Sequence, residues 1–151
     1  MIKYFKGDLF QITKNSSKKI FLAHACNCVG AWGGGIAAEF KKLYPESYEV
    51  YHEFCLNIDN PKDLLGTSLI LSTHDPLVDV ICLFTSIVGE EAPNEIAEHT
   101  RMAMLDLKFK LPHKETHVNM PKINAGIFGV PWVLTENALV HSHVNCNVFE
   151  L

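Results

Sequence analysis

The sequence predicts an α/β domain with three layers, α/β/α, around a mixed, mostly parallel sheet. Three observations predict it. Strand-length apolar runs alternate with helix-period segments along the chain. Several of those runs are apolar at consecutive positions, the pattern of strands covered by helices on both faces. Two glycine-rich segments, 26–35 and 124–131, each follow a strand and precede a helix.

The elements follow in order. Residues 2–6 (IKYFK) read as a first short strand, and 20–25 (IFLAHA) as a second after a Ser/Lys-rich turn. A helix is expected over Gly35 to Leu43, with Ile36, Phe40 and Leu43 on one face. Pro45 breaks it and can start another, in which Tyr48, Tyr51 and Phe54 share a side. Two strands, 67–72 and 79–85, flank the turn-forming STHDP, as a hairpin or as neighbours. The clearest helix is 93–109, with Asn94 as N-cap, Glu95 and Glu98 in the positive first turns, and Ile96, Thr100, Ala103, Met104 and Leu107 facing inward. A short strand at 116–120, a helix opened by GVPW with Pro131 at an early position, and a terminal strand at 146–151 complete the series.

Composition narrows the function. The 151 residues fit one domain, 1–151, with an ordinary core. Net charge is −4, with 12 Lys and one Arg, which argues against a nucleic-acid surface. An anionic ligand would have to be held by backbone N–H groups and helix N-termini. No apolar run spans a bilayer and MIKYFKGD does not read as a signal peptide, so an intracellular, cytoplasmic or nuclear protein without membrane contact is expected. Five cysteines, at 26, 28, 55, 82 and 146, form no disulfide framework and read as reduced thiols.

Glycine tolerates positive φ and lets a ligand approach the backbone. Gly33, Gly34 and Gly35 lead into one helix, Gly126 and Gly129 into another, and together the loops could supply N–H donors around a pyrophosphate. Several motifs fail. GGGIAA matches G-x-G-x-x-A, but the first glycine stands too far beyond the strand for a dinucleotide fingerprint. The G-x-x-x-x-G-K-[ST] phosphate loop, the Cys-x5-Arg phosphatase arrangement and G-x-S-x-G are absent. His24, Cys26 and Cys28 alternate along one segment, but no second cysteine pair completes a zinc site, so no metal is expected there or at HSHVNC. His141 and His143 read as surface residues.

KGDLF, HACNCVGAWGGGIAAEF, MPKINAGIFGVPW and VFEL stand in the order found in macrodomains, ADP-ribose-binding modules, and the resemblance covers nearly the whole chain. It is greatest to the fungal ADP-ribose 1″-phosphate phosphatase branch. The resemblance implies that Asp8 reads the adenine amino group and that Leu9 offers its backbone N–H to the ring. It implies that Asn27 bonds the distal ribose. Gly33, Gly34, Gly35 and Ile36 would surround that ribose and phosphate, and Ala125, Gly126, Ile127, Phe128 and Gly129 would wrap the diphosphate. Phe149 would lie near the adenine. Read without the resemblance, Asp8 also fits a plain turn after Gly7.

The branch that hydrolyses ADP-ribose–glutamate esters uses a lysine and an aspartate where this chain has Ser86 and Phe128, so a covalent lysine mechanism is not expected. The expected reaction is dephosphorylation of ADP-ribose 1″-phosphate to ADP-ribose and phosphate. His24, near the end of its strand, is the candidate acid, base or nucleophile, with Asn27 positioning the ribose. A satisfied strand-end histidine is the plainer alternative. Two other readings stand beside the phosphatase: a non-catalytic ADP-ribose reader, and a hydrolase of another ADP-ribose ester (O-acetyl-ADP-ribose or an ADP-ribosylated protein carboxylate). The ligand is ADP-ribose or a derivative, ADP-ribosylated proteins are possible partners, no cofactor is implied, and a monomer is expected.

Overall fold

The computed structural model describes residues 1–151. One sheet contains β1 (Ile2–Lys6), β2 (Ile20–Asn27), β3 (Ser68–Ser72), β4 (Val78–Ser86), β5 (His117–Pro121) and β6 (Asn145–Glu150), in the order β1-β6-β5-β2-β4-β3. Only the β3–β4 pair is antiparallel. Its connection is fixed by short turns: Asp75 N–H donates to Thr73 Oγ1 (3.1 Å) and Leu77 N–H to Asp75 Oδ1 (2.9 Å). The two strand candidates around STHDP therefore form a hairpin.

Helices α1 (Gly35–Leu43) and α2 (Pro45–Leu56) cover one face, and α3 (Pro93–Lys110) and α4 (Trp132–Ser142) the other. Side chains alternate through the sheet, as a strand requires. Leu22 and Cys26 of β2, with Val80, Cys82 and Phe84 of β4, join Phe40, Tyr51 and Cys55 in one core. Phe21, Ala23, Ile81 and Leu83 join Ala103, Met104, Leu107 and Leu139 in the other. The mixed three-layer α/β fold is as the alternation of elements predicts. No helix is long and apolar enough to cross a membrane.

The inward stripe of α3 is the one its period predicts: Ile96, Thr100, Ala103, Met104 and Leu107 are all buried. Its start differs. Ala92 is the N-cap and Pro93 opens the helix, leaving Asn94 exposed in the first turn. Proline's fixed φ suits that first position, so no side-chain cap is needed. In α1 only Phe40 of the expected face is buried; Ile36 and Leu43 are exposed. Two 3-10 turns, Leu9–Thr13 and Pro61–Leu64, carry no sequence period. Each is capped by a side chain, Asp8 accepting from Phe10 N–H and Asn60 from Lys62 N–H.

Candidate functional site

The parallel strands β2, β4, β5 and β6 all end at one edge of the sheet, where ligands of open α/β sheets bind. A shift of register between Cys26 and Asn27 ends β2 and releases the chain into the first glycine loop. A cleft of about 320 Å³ opens there. Its walls are the end of β2 (Ala25–Asn27), the first loop and start of α1 (Ala31–Ala37), Val88, the end of β5 with Ile123 and Asn124, and Gly126–Phe128.

Gly33, Gly34, Gly35 and Ile36 thus meet Gly126, Ile127 and Phe128 across one cleft. The two loops touch: a Cβ on Gly34 would stand 3.0 Å from Ile127 Cδ1. Gly33 and Gly126 have open space where a side chain would be. The backbone N–H groups of Gly33, Gly34, Gly35, Ile36, Gly126, Ile127 and Phe128 donate to no backbone or side-chain acceptor. At Gly35 and Ile36 this follows from their place in the first turn of a helix, whose N–H groups have no partner within the helix. Gly35 takes a φ of +57°, which a side chain would strain. Lys122 is the one charged residue lining the cleft, and its Nζ is paired with Glu150 Oε2 at 2.9 Å. The site is a cradle of amide hydrogens without a free cation.

Polar clamps hold both loops. The Asn27 carboxamide Oδ1 accepts from Val29 N–H (3.2 Å), Ala31 N–H (3.1 Å) and Tyr51 O–H (2.8 Å), and its Nδ2 donates to Ala31 O (2.6 Å). Asn27 lines the cleft, and its carboxamide also sets the shape of the 27–31 turn. In the second loop, Asn124 is buried with φ +65°. Its Oδ1 accepts from Thr85 Oγ1 (2.8 Å), its Nδ2 donates to Thr100 Oγ1 (2.9 Å), and its carbonyl accepts from Val130 N–H (2.9 Å). The sequence marks Tyr51 only as one side of its helix, and Asn124 not at all. An asparagine at the head of a glycine loop was the available signal for the second, since asparagine tolerates left-handed backbone.

The 86–91 segment closes on itself. Glu91 accepts from Ile87 N–H (2.8 Å) and from the Ser86 hydroxyl, which itself accepts from Gly89 N–H (2.6 Å). Partial burial opposes ionisation of Glu91, but these donors outweigh it and hold its carboxyl below the usual range. A Cβ on Gly89 would stand 2.9 Å from the Phe128 ring, so this segment braces the second loop.

The placement of His24 corrects the expectation that it faces the ligand. It shares strand parity with Leu22 and Cys26, so it points under α1 and is wholly buried. Its ring stacks on Phe40 (centroids 4.0 Å apart) and meets the Trp32 ring edge-on at 4.8 Å. Cys26 stands between this histidine and the cleft, with Sγ 3.5 Å from His24 Nε2. Burial opposes ionisation of Cys26, but its contacts with Cys82 and His24 outweigh it and lower its thiol well below the ordinary range. Burial instead pushes Cys28 up to about 12.

Asp8, Leu9 and Phe149 lie outside this cleft. Asp8 is exposed, accepts from Phe10 N–H at 3.0 Å, and borders a separate hollow with Gln11 and Tyr44. Leu9 is buried in the α1–α2 core, and Phe149 stacks on Phe5 with centroids 5.1 Å apart. All three follow the same sheet edge, since Gly7 N–H donates to Glu150 O and Phe149 faces Pro121, which lines the cleft. Ala125 and Gly129 belong to the second loop without lining the cleft.

The Macro domain pattern matches residues 23–139. The chain belongs to the Macro domain family. Among curated relatives, a protein from Candida albicans named ADP-ribose 1″-phosphate phosphatase is 47% identical over 147 residues, covering 92% of each chain. One of the same name from Debaryomyces hansenii is 43% identical over 176 residues, covering 99% of this chain and 98% of its own. Among solved structures, the macrodomain of Mycobacterium tuberculosis DarG superposes with a TM-score of 0.77 at 22% identity, covering 100% of this macrodomain and 98% of that chain.

Proposed function

We propose that this macrodomain binds ADP-ribose in the cleft between its two glycine loops and removes the phosphate from ADP-ribose 1″-phosphate, giving ADP-ribose and phosphate. The observation that carries the reading is the set of unpartnered N–H groups at Gly33–Ile36 and Gly126–Phe128 around a cleft whose one cation is already paired. The names of the fungal relatives supply the reaction.

The two loops would divide the ligand. N–H groups of Gly126–Phe128 would hold the diphosphate. Those of Gly33–Ile36, at the positive end of α1, would hold the distal ribose and its 1″-phosphate. Phosphoryl transfer places little covalent demand on the protein; positioning and stabilisation of the equatorial oxygens supply most of the catalysis. Fixed amide hydrogens meet that demand. Water attacks phosphorus, the bond from phosphorus to O1″ breaks, and a proton lost by the water ends on O1″, giving ADP-ribose and inorganic phosphate. Asn27 and Asn124 act as positioning residues for the two loops. The adenine would extend past Pro121 toward Phe149, Asp8 and Leu9.

A second reading is a binder without turnover. It is favoured by the scarcity of ionisable side chains in the cleft, where only Cys26 and the paired Lys122 occur. Calorimetry with ADP-ribose and a phosphate-release assay on ADP-ribose 1″-phosphate decide between the two. Binding with release supports the phosphatase, binding without release supports the reader, and no binding rejects both.

A further inference from the structure

We propose that His24, Cys26 and Cys82 form a binding site for one Zn²⁺ ion beneath the wall of the cleft. The backbone builds the site. His24 and Cys26, two residues apart on β2, point to the same face, and Cys82 of β4 is the ladder partner of His24. One ligand atom from each of the three lies within 4.8 Å of the others, all on buried side chains.

The spacing between His24 and Cys26 suits zinc. A tetrahedral ion with Zn–S of about 2.3 Å and Zn–N of about 2.0 Å sets sulfur and nitrogen ligands about 3.5 Å apart. Cys26 Sγ and His24 Nε2 are 3.5 Å apart. All five cysteines are unbridged, so both thiols are available. Charge selects among thiophilic ions. Two thiolates, a neutral imidazole and Zn²⁺ sum to zero, whereas Cu⁺ would leave a net negative charge in a closed apolar core, which is costly.

A second observation points to the same place. Trp32 Nε1 is the one buried side-chain nitrogen or oxygen in the protein without a hydrogen-bond partner. Its ring packs edge-on against His24, and Trp32 shares the cleft wall with Cys26. An N–H donor beside a ligating thiolate is the outer-shell partner that metal sites use. Three protein ligands leave the fourth tetrahedral vertex for a water.

The inference does not depend on the phosphatase reading, and its test uses binding alone. Reduced, metal-stripped full-length protein is titrated with Zn²⁺ against a chromophoric chelator, and with Co²⁺ while the absorption spectrum is followed. One equivalent of zinc is expected, with a thiolate-to-cobalt charge-transfer band and the intense visible bands of tetrahedral cobalt. Cys82→Ser should abolish both, Cys146→Ala on the opposite face of the sheet should change neither, and Trp32→Phe should weaken zinc affinity about 10- to 100-fold. Circular dichroism checks that each variant folds. Failure of the folded wild type to take up one equivalent overturns the proposal whatever the variants do. So does unchanged uptake in folded Cys82→Ser, which would assign the metal to other groups.

Discussion

Asn124 is expected to control the second loop by two separable effects, and two substitutions separate them. Its side chain accepts from the buried Thr85 hydroxyl and donates to that of Thr100, which itself donates to Ile96 O, and its backbone sits at φ +65°. Asn124→Ala removes the bonds and places a Cβ without polar compensation in left-handed backbone. Orphaning a buried hydroxyl costs about 1–3 kcal/mol. The left-handed conformation adds about 1–2 kcal/mol for alanine. A total loss near 2–5 kcal/mol is expected. Asn124→Gly suffers the first cost and not the second, so it should be more stable than Asn124→Ala by about 1 kcal/mol. That reverses the usual order of alanine and glycine. Urea denaturation followed by fluorescence measures both, and calorimetry with ADP-ribose should show weakened binding for each folded variant. If Asn124→Ala equals or exceeds Asn124→Gly in stability, or if both bind ADP-ribose like the wild type, the clamp account fails.

Other outcomes follow from neighbouring contacts. Gly34→Glu sets a carboxylate among phosphoryl oxygens; at about 4 Å and an effective dielectric near 20 the repulsion is about 4 kcal/mol, so ADP-ribose affinity should fall roughly a thousandfold by calorimetry. His24→Phe preserves the stack on Phe40 and lies behind the cleft, so it should retain ADP-ribose binding; loss of binding in a folded variant would place the ring in contact with ligand. The Glu91 carboxyl is held below its usual range, so its support of the 86–91 segment is complete above the ordinary glutamate value of about 4.3 and is lost as pH falls through the lower folded value. Amide exchange at Ile87 and Gly89, measured against overall unfolding, should quicken in that acid window. Glu91→Gln should be fast already at neutral pH and lack the acid step.

The fold was legible wherever period and burial coincide. The α3 stripe and the six strands follow from spacing alone, and the glycine loops mark the cleft because there are two of them, each between a strand and a helix, where a single one would read as a tight turn. His24 shows where that reading stopped. Three residues from Asn27 in sequence, it looked close to the ligand, but strand parity sends it with Leu22 and Cys26 into the core beneath α1. Ile36 and Leu43 failed as core residues because α1 meets the sheet through Phe40, while its first turn faces the cleft. The Asn27–Tyr51 and Asn124–Thr85–Thr100 clamps join segments distant in sequence, and no local pattern announces such pairs. The convergence of His24, Cys26 and Cys82 likewise needs the β2–β4 register, which spacing within β2 cannot supply.

The most direct measurement is a ¹⁵N–¹H NMR titration of the full chain with ADP-ribose. The amide cradle predicts that the largest shifts and the strongest slowing of exchange occur at Gly33–Ile36 and Gly126–Phe128. Saturable binding that leaves those amides unmoved and shifts a different surface, such as the hollow beside Asp8 and Gln11, would contradict it.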